Sequence, residues 1–179
     1  MVLTIGFVSG FLVADGSMLK AYNESFDKYN IENGNFRTAE KIYSSQWKDI
    51  EAAGVKLYEN YYIEEDLDNG STMRFFKNRQ QVDKICLMKG ELPAGTGEIA
   101  IDRMYADNNN LSVGDTLRSG KRTWKITGLV ALSDYSCLFQ NNNDSMFDAV
   151  KFGVGVVTDE EFDSLDQDKL QYNLSLIHI

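Results

Sequence analysis

Residues 90–130, GELPAGTGEIAIDRMYADNNNLSVGDTLRSGKRTWKITGLV, hold most of what this chain says about its fold. Gly90 to Gly97 is a loop by its glycine and proline chemistry. Glu98 to Ile101 reads as a strand, and Asp102 then caps a short helix, Arg103 to Asn108. Thr116–Arg118, a turn at Ser119-Gly120-Lys121, and Thr123–Ala131 make a hairpin. Short strands without long helical crossovers between them predict an α+β domain, with a mixed or antiparallel sheet and a few packing helices.

The flanks fit that reading. Upstream, residues 39–53 (AEKIYSSQWKDIEAA) have Thr38 as an N-cap, Ile42, Trp47 and Ile50 on one face, and Gly54 where a C′ glycine belongs. Val55 to Ile63 alternates as one strand, Asp66–Gly70 is a turn, and Met73–Phe76 returns as its hairpin partner. Asp83–Met88 is another short apolar run. Downstream, an Asn-rich loop (140–144) precedes a strand over Phe152–Val157, and Asp159 opens an acidic helix.

The two ends read differently. Met1–Ala14 (MVLTIGFVSGFLVA) has no charge, but it is shorter than the about 20 apolar residues that span a bilayer. It also lacks the basic start and clean cleavage site of a signal peptide. We expect residues 1–15 to be the end of a transmembrane helix, with Gly6 and Gly10 at a spacing that lets membrane helices approach. Met18, Tyr22, Phe26 and Tyr29 then recur at helical spacing, and no proline interrupts the run to Asn30. Residues 16–31 are therefore expected to continue the helix as an amphipathic stalk, and residues 32–173 to form the domain beyond it. The alternative is a buried helix preceded by an apolar strand. At the other end, Leu174-Ser175-Leu176-Ile177-His178-Ile179 resembles the translation of a transposon sequencing adapter. We expect 174–179 to be a tail of that origin, on a metagenomic fragment truncated at both ends, and leave it out of the fold reading. His178 is the only histidine.

Composition narrows the chemistry. The chain has 179 residues, 43% of them hydrophobic, and a net charge of −9. It has no basic stripe of the kind phosphate backbones require, which argues against nucleic acid. Any membrane attachment would run through the apolar N-terminal helix. Cys86 and Cys137 sit in apolar runs and read as buried thiols, with a disulfide as the alternative outside the cytoplasm. Gly114–Arg122 has one residue too many for a P-loop and Arg where Ser or Thr belongs. Gly153-Val154-Gly155 lacks the third glycine of a dinucleotide fingerprint. Without His178 there is no histidine base. Glu64, Glu65, Asp66 and Asp68 cluster at a hairpin tip, where solvation is the expected state, and their spacing misses the EF-hand pattern. Tyr58, Tyr61, Tyr62, Phe75 and Phe76 could line a groove, but core packing is favoured. No catalytic, cofactor-binding or metal residue is expected.

Four strings occur in order: Gly90-Glu91-Leu92-Pro93, Gly97-Glu98-Ile99-Ala100-Ile101, Val113-Gly114-Asp115-Thr116-Leu117, and Trp124-Lys125-Ile126-Thr127-Gly128-Leu129-Val130. This series resembles the extracytoplasmic domain of FtsX-like (MacB-type) ABC transporter permeases, of the Gram-positive kind. The resemblance extends to Asn33-Gly34-Asn35-Phe36 and to Ser145–Phe152, and so covers most of residues 1–173. It implies a structural role for Gly90, Pro93, Glu98, Gly114, Asp115 and Gly128. It also implies a place on the outer side of the cell membrane, a separate ATPase subunit as partner, and a permease dimer as one assembly. Cargo of lipid, peptide or antibiotic type would follow, with ATP hydrolysis coupled mechanically to export or envelope signalling. The alternative is a membrane-tethered extracellular binding module without an ATPase.

Overall fold

β8 (Arg122–Ala131) is a ten-residue strand that organises the larger of two sheets. The protein is described from a computed structural model, covering residues 2–141 and 143–179 and the side chains from Gly16 onward. Along β8 run β6 (Glu98–Asp102) in parallel, and β7 (Thr116–Ser119) and β5 (Cys86–Gly90) antiparallel. Beyond β6 lie β9 (Phe152–Val157), β4 (Thr72–Lys77) and β3 (Tyr62–Asp66), in the order β3-β4-β9-β6-β8-β5. The β4–β9 and β6–β8 pairs are parallel and the others antiparallel, so the sheet is mixed. A second, three-stranded antiparallel sheet has the order β1-β10-β2, from β1 (Gly34–Thr38), β10 (Tyr172–His178) and β2 (Val55–Glu59). Four α-helices complete the described residues: α1 (Val2–Tyr29), α2 (Ser44–Glu51), α3 (Arg103–Asn108) and α4 (Asp159–Ser164). The expected α+β class with a mixed sheet is the architecture observed.

The core lies against the larger sheet. Trp124, Phe75, Ile99, Ile101, Ile126, Val154 and Val156 are fully buried, and the Phe75 and Trp124 rings pack 4.8 Å apart. Each such side chain contributes roughly 1.5–3 kcal/mol through the water it sheds. Gly153 and Gly155 belong to this packing and to no nucleotide loop. A Cβ on Gly153 would sit 2.5 Å from the Tyr105 ring, and one on Gly155 would sit 2.6 Å from Ile99 Cδ1.

Three expectations are corrected. Val55–Ile63 is not one strand: β2 ends at Glu59 and β3 begins at Tyr62, in different sheets. The break is at Asn60, whose N–H and side-chain amide donate to Asn173 O and Ser175 Oγ at 3.0 Å each, turning the backbone away. The helix expected over 39–53 is only α2, because Thr38 closes β1 opposite Tyr172 and cannot cap it. Gln46 instead accepts the Tyr43 N–H at 2.8 Å. The cysteines are not both buried: Cys86 is half-buried and Cys137 exposed, and both are free. The favoured core packing of the aromatics is observed, with Tyr62, Phe75 and Phe76 in the core and Tyr58 and Tyr61 half-exposed.

Both ends of the chain fold. α1 is one continuous helix of 28 residues, about 42 Å long at 1.5 Å per residue. From Gly16 to Lys28 every residue except Ser25 is exposed, so this part stands clear of the domain. The readings of residues 1–15 as a membrane segment and of Gly6 and Gly10 as a contact face concern side chains outside the described residues. Among the described residues, no helix is long and apolar enough to cross a membrane. Residues 174–178 form most of β10, with Leu174 and Ser175 buried between β1 and β2. Their near-alternating apolar and polar side chains suit a strand.

Candidate functional site

The last turn of α1 is where the helix meets the domain, and it is built as a joint. A helix leaves its final carbonyls without partners. Here Asn30 takes a left-handed conformation (φ 49°) and ends the helix, with the Ile31 N–H returning to Phe26 O at 3.1 Å. That is the 6→1 closure of a C-terminal cap. The loop between β4 and β5 then supplies donors. Lys84 N–H reaches Tyr29 O at 2.8 Å and Asp83 N–H reaches Asn30 O at 3.1 Å, while the Asn30 side chain donates to Gln81 O at 2.6 Å. Tyr29 Oη donates to Cys86 Sγ at 3.0 Å at the start of β5.

Beneath the joint lies a buried charged cluster. Asp83 is fully buried, with φ 44°, and its Oδ1 accepts the Glu32 N–H at 3.0 Å and the Ser133 hydroxyl at 3.2 Å. Arg79 Nη1 donates to Asp134 Oδ1 at 2.7 Å, and its guanidinium lies 3.9 Å from the Phe76 ring centre. Both members of this ion pair are buried, at 6% and 7% side-chain exposure, a setting where desolvation cancels much of the Coulombic gain. Among the described residues, four buried side-chain atoms have no partner: Glu32 Oε2, Asp83 Oδ2, and Arg79 Nε and Nη2. Burial first, then the Asp134 and Glu32 charges, push the Asp83 carboxyl up to about 7, against the pull of the Glu32 N–H and Arg79. Burial works against the Arg79 charge, yet Asp134, Tyr135 and Asp83 around it hold the guanidinium above its ordinary range.

The chain enters and returns at this same end. β10 runs antiparallel to β1, from Tyr172 opposite Thr38 to Leu176 opposite Gly34. Asn33 N–H donates to Leu176 O at 2.9 Å, and His178 N–H donates to Asn33 Oδ1 at 2.8 Å. The last strand thus comes back to the foot of α1.

The six residues singled out in the sequence lie elsewhere, mostly along β8. Gly90 and Gly128 are opposite each other across β5 and β8. A Cβ on Gly90 would meet Thr127 O at 2.2 Å, and one on Gly128 would meet Glu91 O at 2.4 Å, so only glycines allow this approach. Gly114 N–H donates to Ile126 O and Ile126 N–H to Asp115 O, both at 2.8 Å, while the Asp115 carboxylate accepts the Ser112 N–H at 2.8 Å. The Glu98 carboxylate accepts the N–H groups of Ala94 (2.8 Å) and Gly95 (3.1 Å), which hold it below its ordinary range. Pro93 lines a groove of about 1090 Å³ that also meets Trp47, Tyr58, Tyr61 and Phe162.

The hairpin acids are engaged in the fold. Glu64 pairs with Arg74, Asp66 accepts the Thr72 hydroxyl at 2.9 Å, and Asp68 accepts the Gly120 N–H at 2.9 Å. Two features escaped the sequence reading. One is the buried cluster, whose only local signal was an aspartate placed between Val82 and Ile85. The other is Glu161 on α4, which accepts Trp124 Nε1–H at 2.9 Å and Gly97 N–H at 2.8 Å. It had no signal beyond belonging to an acidic first turn.

No family model matches the chain, and no curated protein sequence does. Among solved structures, the chain is similar to the extracellular domain of the noncanonic ABC-type transporter YknZ from Gram-positive bacteria. That match has 10% identity and a TM-score of 0.42, over 80% of this chain and 81% of that one. It is also similar to the periplasmic region of MacB from Actinobacillus actinomycetemcomitans, at 10% identity and a TM-score of 0.42, over 78% of this chain and 65% of that one.

Proposed function

We propose that the chain is the extracytoplasmic domain of an ABC transporter permease, on the outer side of the cell membrane, with α1 as the rod that passes movement to it. The observation that carries this reading is the joint. A helix exposed from Gly16 to Lys28 is fixed at its last turn by three backbone and side-chain bonds to one loop. A continuous helix transmits displacement along its axis, and a capped, docked end prevents that displacement from being lost to fraying. The ordered strings from Gly90 to Val130 support the same assignment.

In this reading residues 1–15 end a membrane helix, 16–31 form the stalk, 32–173 form the outer domain, and 174–179 derive from an adapter. The codons beneath 174–179 test the last point. ATP hydrolysis takes place on a separate subunit, permeases pair as a dimer, and the cargo is a lipid, peptide or antibiotic. Ala21→Pro or Asn23→Pro removes a helix hydrogen bond and kinks the rod. In the intact permease with its ATPase, transport should fall at least tenfold while ATP hydrolysis and amide protection in β8 persist. Unchanged transport would sink the proposal. The aromatic groove lined by Tyr58, Tyr61 and Phe162 favours a second reading, a tethered binding module. Transport insensitive to the stalk prolines, with ligand binding intact, is its expected result.

A further inference from the structure

We infer that the free edge of β1 is a docking site for an extended peptide of a partner protein, which adds a strand to the smaller sheet and sets a carboxylate against Arg37. Among the described residues β1 is an edge strand, paired with β10 alone. The bonds of β10 fix which main-chain groups of β1 are free. Asn60 N–H donates to Asn173 O and Ile179 N–H to Gly54 O, so Asn173, Ser175 and Ile177 turn their main-chain groups toward β2. Alternation along an antiparallel ladder leaves Tyr172, Leu174 and Leu176 for β1, opposite Thr38, Phe36 and Gly34. Asn35 and Arg37 therefore point their N–H and C=O groups away from the sheet. Both residues are exposed.

An open edge accepts strands from other chains, and folded proteins blunt it with bulges, charges or covering segments. The other edges among the described strands are blunted. On β2 the outward Leu57 N–H is taken by the Glu51 carboxylate of α2 at 3.2 Å. β3 is bridged to Gln171 at Tyr62, and the Asp68 N–H covers β7 by bonding Arg118 O at 2.8 Å. β5 carries a bulge between Leu87 and Lys89. β1 has none of these devices. Among the described residues, no loop or side chain bonds the outward main-chain groups of Asn35 and Arg37, whose side chains reach Glu32 and Tyr62 instead. An edge left open where its neighbours are closed is the arrangement that strand addition uses.

The surroundings say what the added strand carries. A cavity of about 720 Å³ adjoins this edge, with Phe36, Arg37 and Phe139 in its lining. Arg37 donates to Tyr62 Oη at 2.9 Å and, among the described residues, has no carboxylate partner. The cavity's other arginine, Arg74, is paired with Glu64. Of its acids, Asp134 is held by Arg79 and Asp144 accepts the Asn141 N–H at 2.8 Å. A carboxylate on the incoming strand thus meets an unmatched cation, and opposite charges directly across a ladder attract. The next residue of that strand points to the other face, that of Phe36. Phe139, 38% exposed, lines the same cavity, so an apolar side chain fits there. A second copy of this chain fits less well, because β1 paired with itself about Phe36 sets Glu32 opposite Glu40. The inference does not depend on the transporter reading, because it concerns one strand edge only.

A displayed library of random peptides about ten residues long, selected on the full chain, tests it. Selected peptides should carry an aspartate or glutamate flanked by apolar residues. On binding, the Asn35 and Arg37 amides should slow in hydrogen exchange by about tenfold or more, while Phe36, already bonded to β10, should not change. Asn35→Pro removes an outward N–H that the fold does not use, and an edge tolerates proline. It should weaken binding by about tenfold or more, with exchange at Phe36 and Leu174 unaltered. Arg37→Glu should weaken binding similarly without touching the backbone, so it decides the matter if the proline variant does not fold. Selection of no peptide, binding that either folded variant leaves intact, or slowing at other amides overturns the inference. So does an edge already protected at Asn35 and Arg37 in the free chain where it sediments as a dimer, because a second copy then holds it.

Discussion

Changing Glu161 to alanine should cost the protein about 3 kcal/mol, and the structure shows where that figure arises. Glu161 sits in the first turn of α4 with 7% of its surface exposed. One carboxylate oxygen accepts Trp124 Nε1–H at 2.9 Å and the other accepts the Gly97 N–H at 2.8 Å. Truncation leaves both donors unpaired. A hydrogen bond to a charged acceptor is worth about 1.5–3 kcal/mol. The Trp124 donor is fully buried and loses that much, whereas Gly97 is half-buried and recovers part from water. Glutamine separates charge from shape. It offers one acceptor and one amide donor, so one of the two N–H groups must face another donor, and about 2 kcal/mol should still be lost. Glu160, the exposed neighbour in the same turn, is the control; its alanine variant should stay within about 0.5 kcal/mol. Urea unfolding followed by tryptophan fluorescence reads all three. With a slope of about 2 kcal/mol per molar, the alanine midpoint should fall by about 1.5 M. A loss below about 0.5 kcal/mol, or a glutamine variant indistinguishable from the Glu160 control, would refute the claim that this carboxylate ties α4 to β8 and the Gly97 loop.

Other perturbations probe other parts of the structure. Gly128→Ala should lose about 1–3 kcal/mol by forcing β5 from β8, since its Cβ would meet a backbone oxygen. Gly90→Ala should lose more, because it meets a similar clash and adds a cost of about 1–2 kcal/mol for a side chain at φ 76°. Equal urea midpoints for parent and variants would remove the close-approach explanation. Arg79→Met strips the buried cluster of its cation and should cost about 3–5 kcal/mol at pH 8. Because the Asp83 carboxyl, pushed up to about 7 by burial, is neutralised at lower pH, the loss should shrink at pH 5.5. A loss that grows toward acid would refute the burial of an ionisable Asp83 beside Arg79.

How far the sequence could be read depended on the range of the forces involved. Asp102 was legible as an N-cap because the event is local: its side chain accepts the N–H groups of Met104 and Tyr105, two and three residues on. Gly54 was legible only as a left-handed glycine (φ 90°), since α2 ends at Glu51 with Ala52 as its cap and the glycine closes the turn beyond it. The hairpin of β7 and β8 needed only a turn between two apolar runs. Val55–Ile63 was misread because alternation records which face is buried and not which sheet buries it. Leu57 and Ile63 are both buried, one in each sheet, and nothing in their spacing marks the change at Asn60.

The joint was beyond such reading for a deeper reason. Glu32 and Asp83 are 51 residues apart in the chain, and Asp83 and Ser133 are 50 apart. An acid among apolar neighbours looks like a surface residue until folding encloses it. Once enclosed, its charge must be matched, neutralised or tolerated at a cost in stability, and Arg79 matches only Asp134 directly. The surplus acid therefore stands out as a departure from what stability alone would select. Its place under the capped end of α1 gives that departure a mechanical consequence, because the loop that carries Asp83 also holds the helix. Asp83→Asn should therefore stabilise the protein at pH 8.5, where the aspartate is ionised, and change little at pH 5.5, where burial already holds it neutral. Urea midpoints at the two pH values read the difference, and an equal effect at both would refute the argument that the buried charge is the cost.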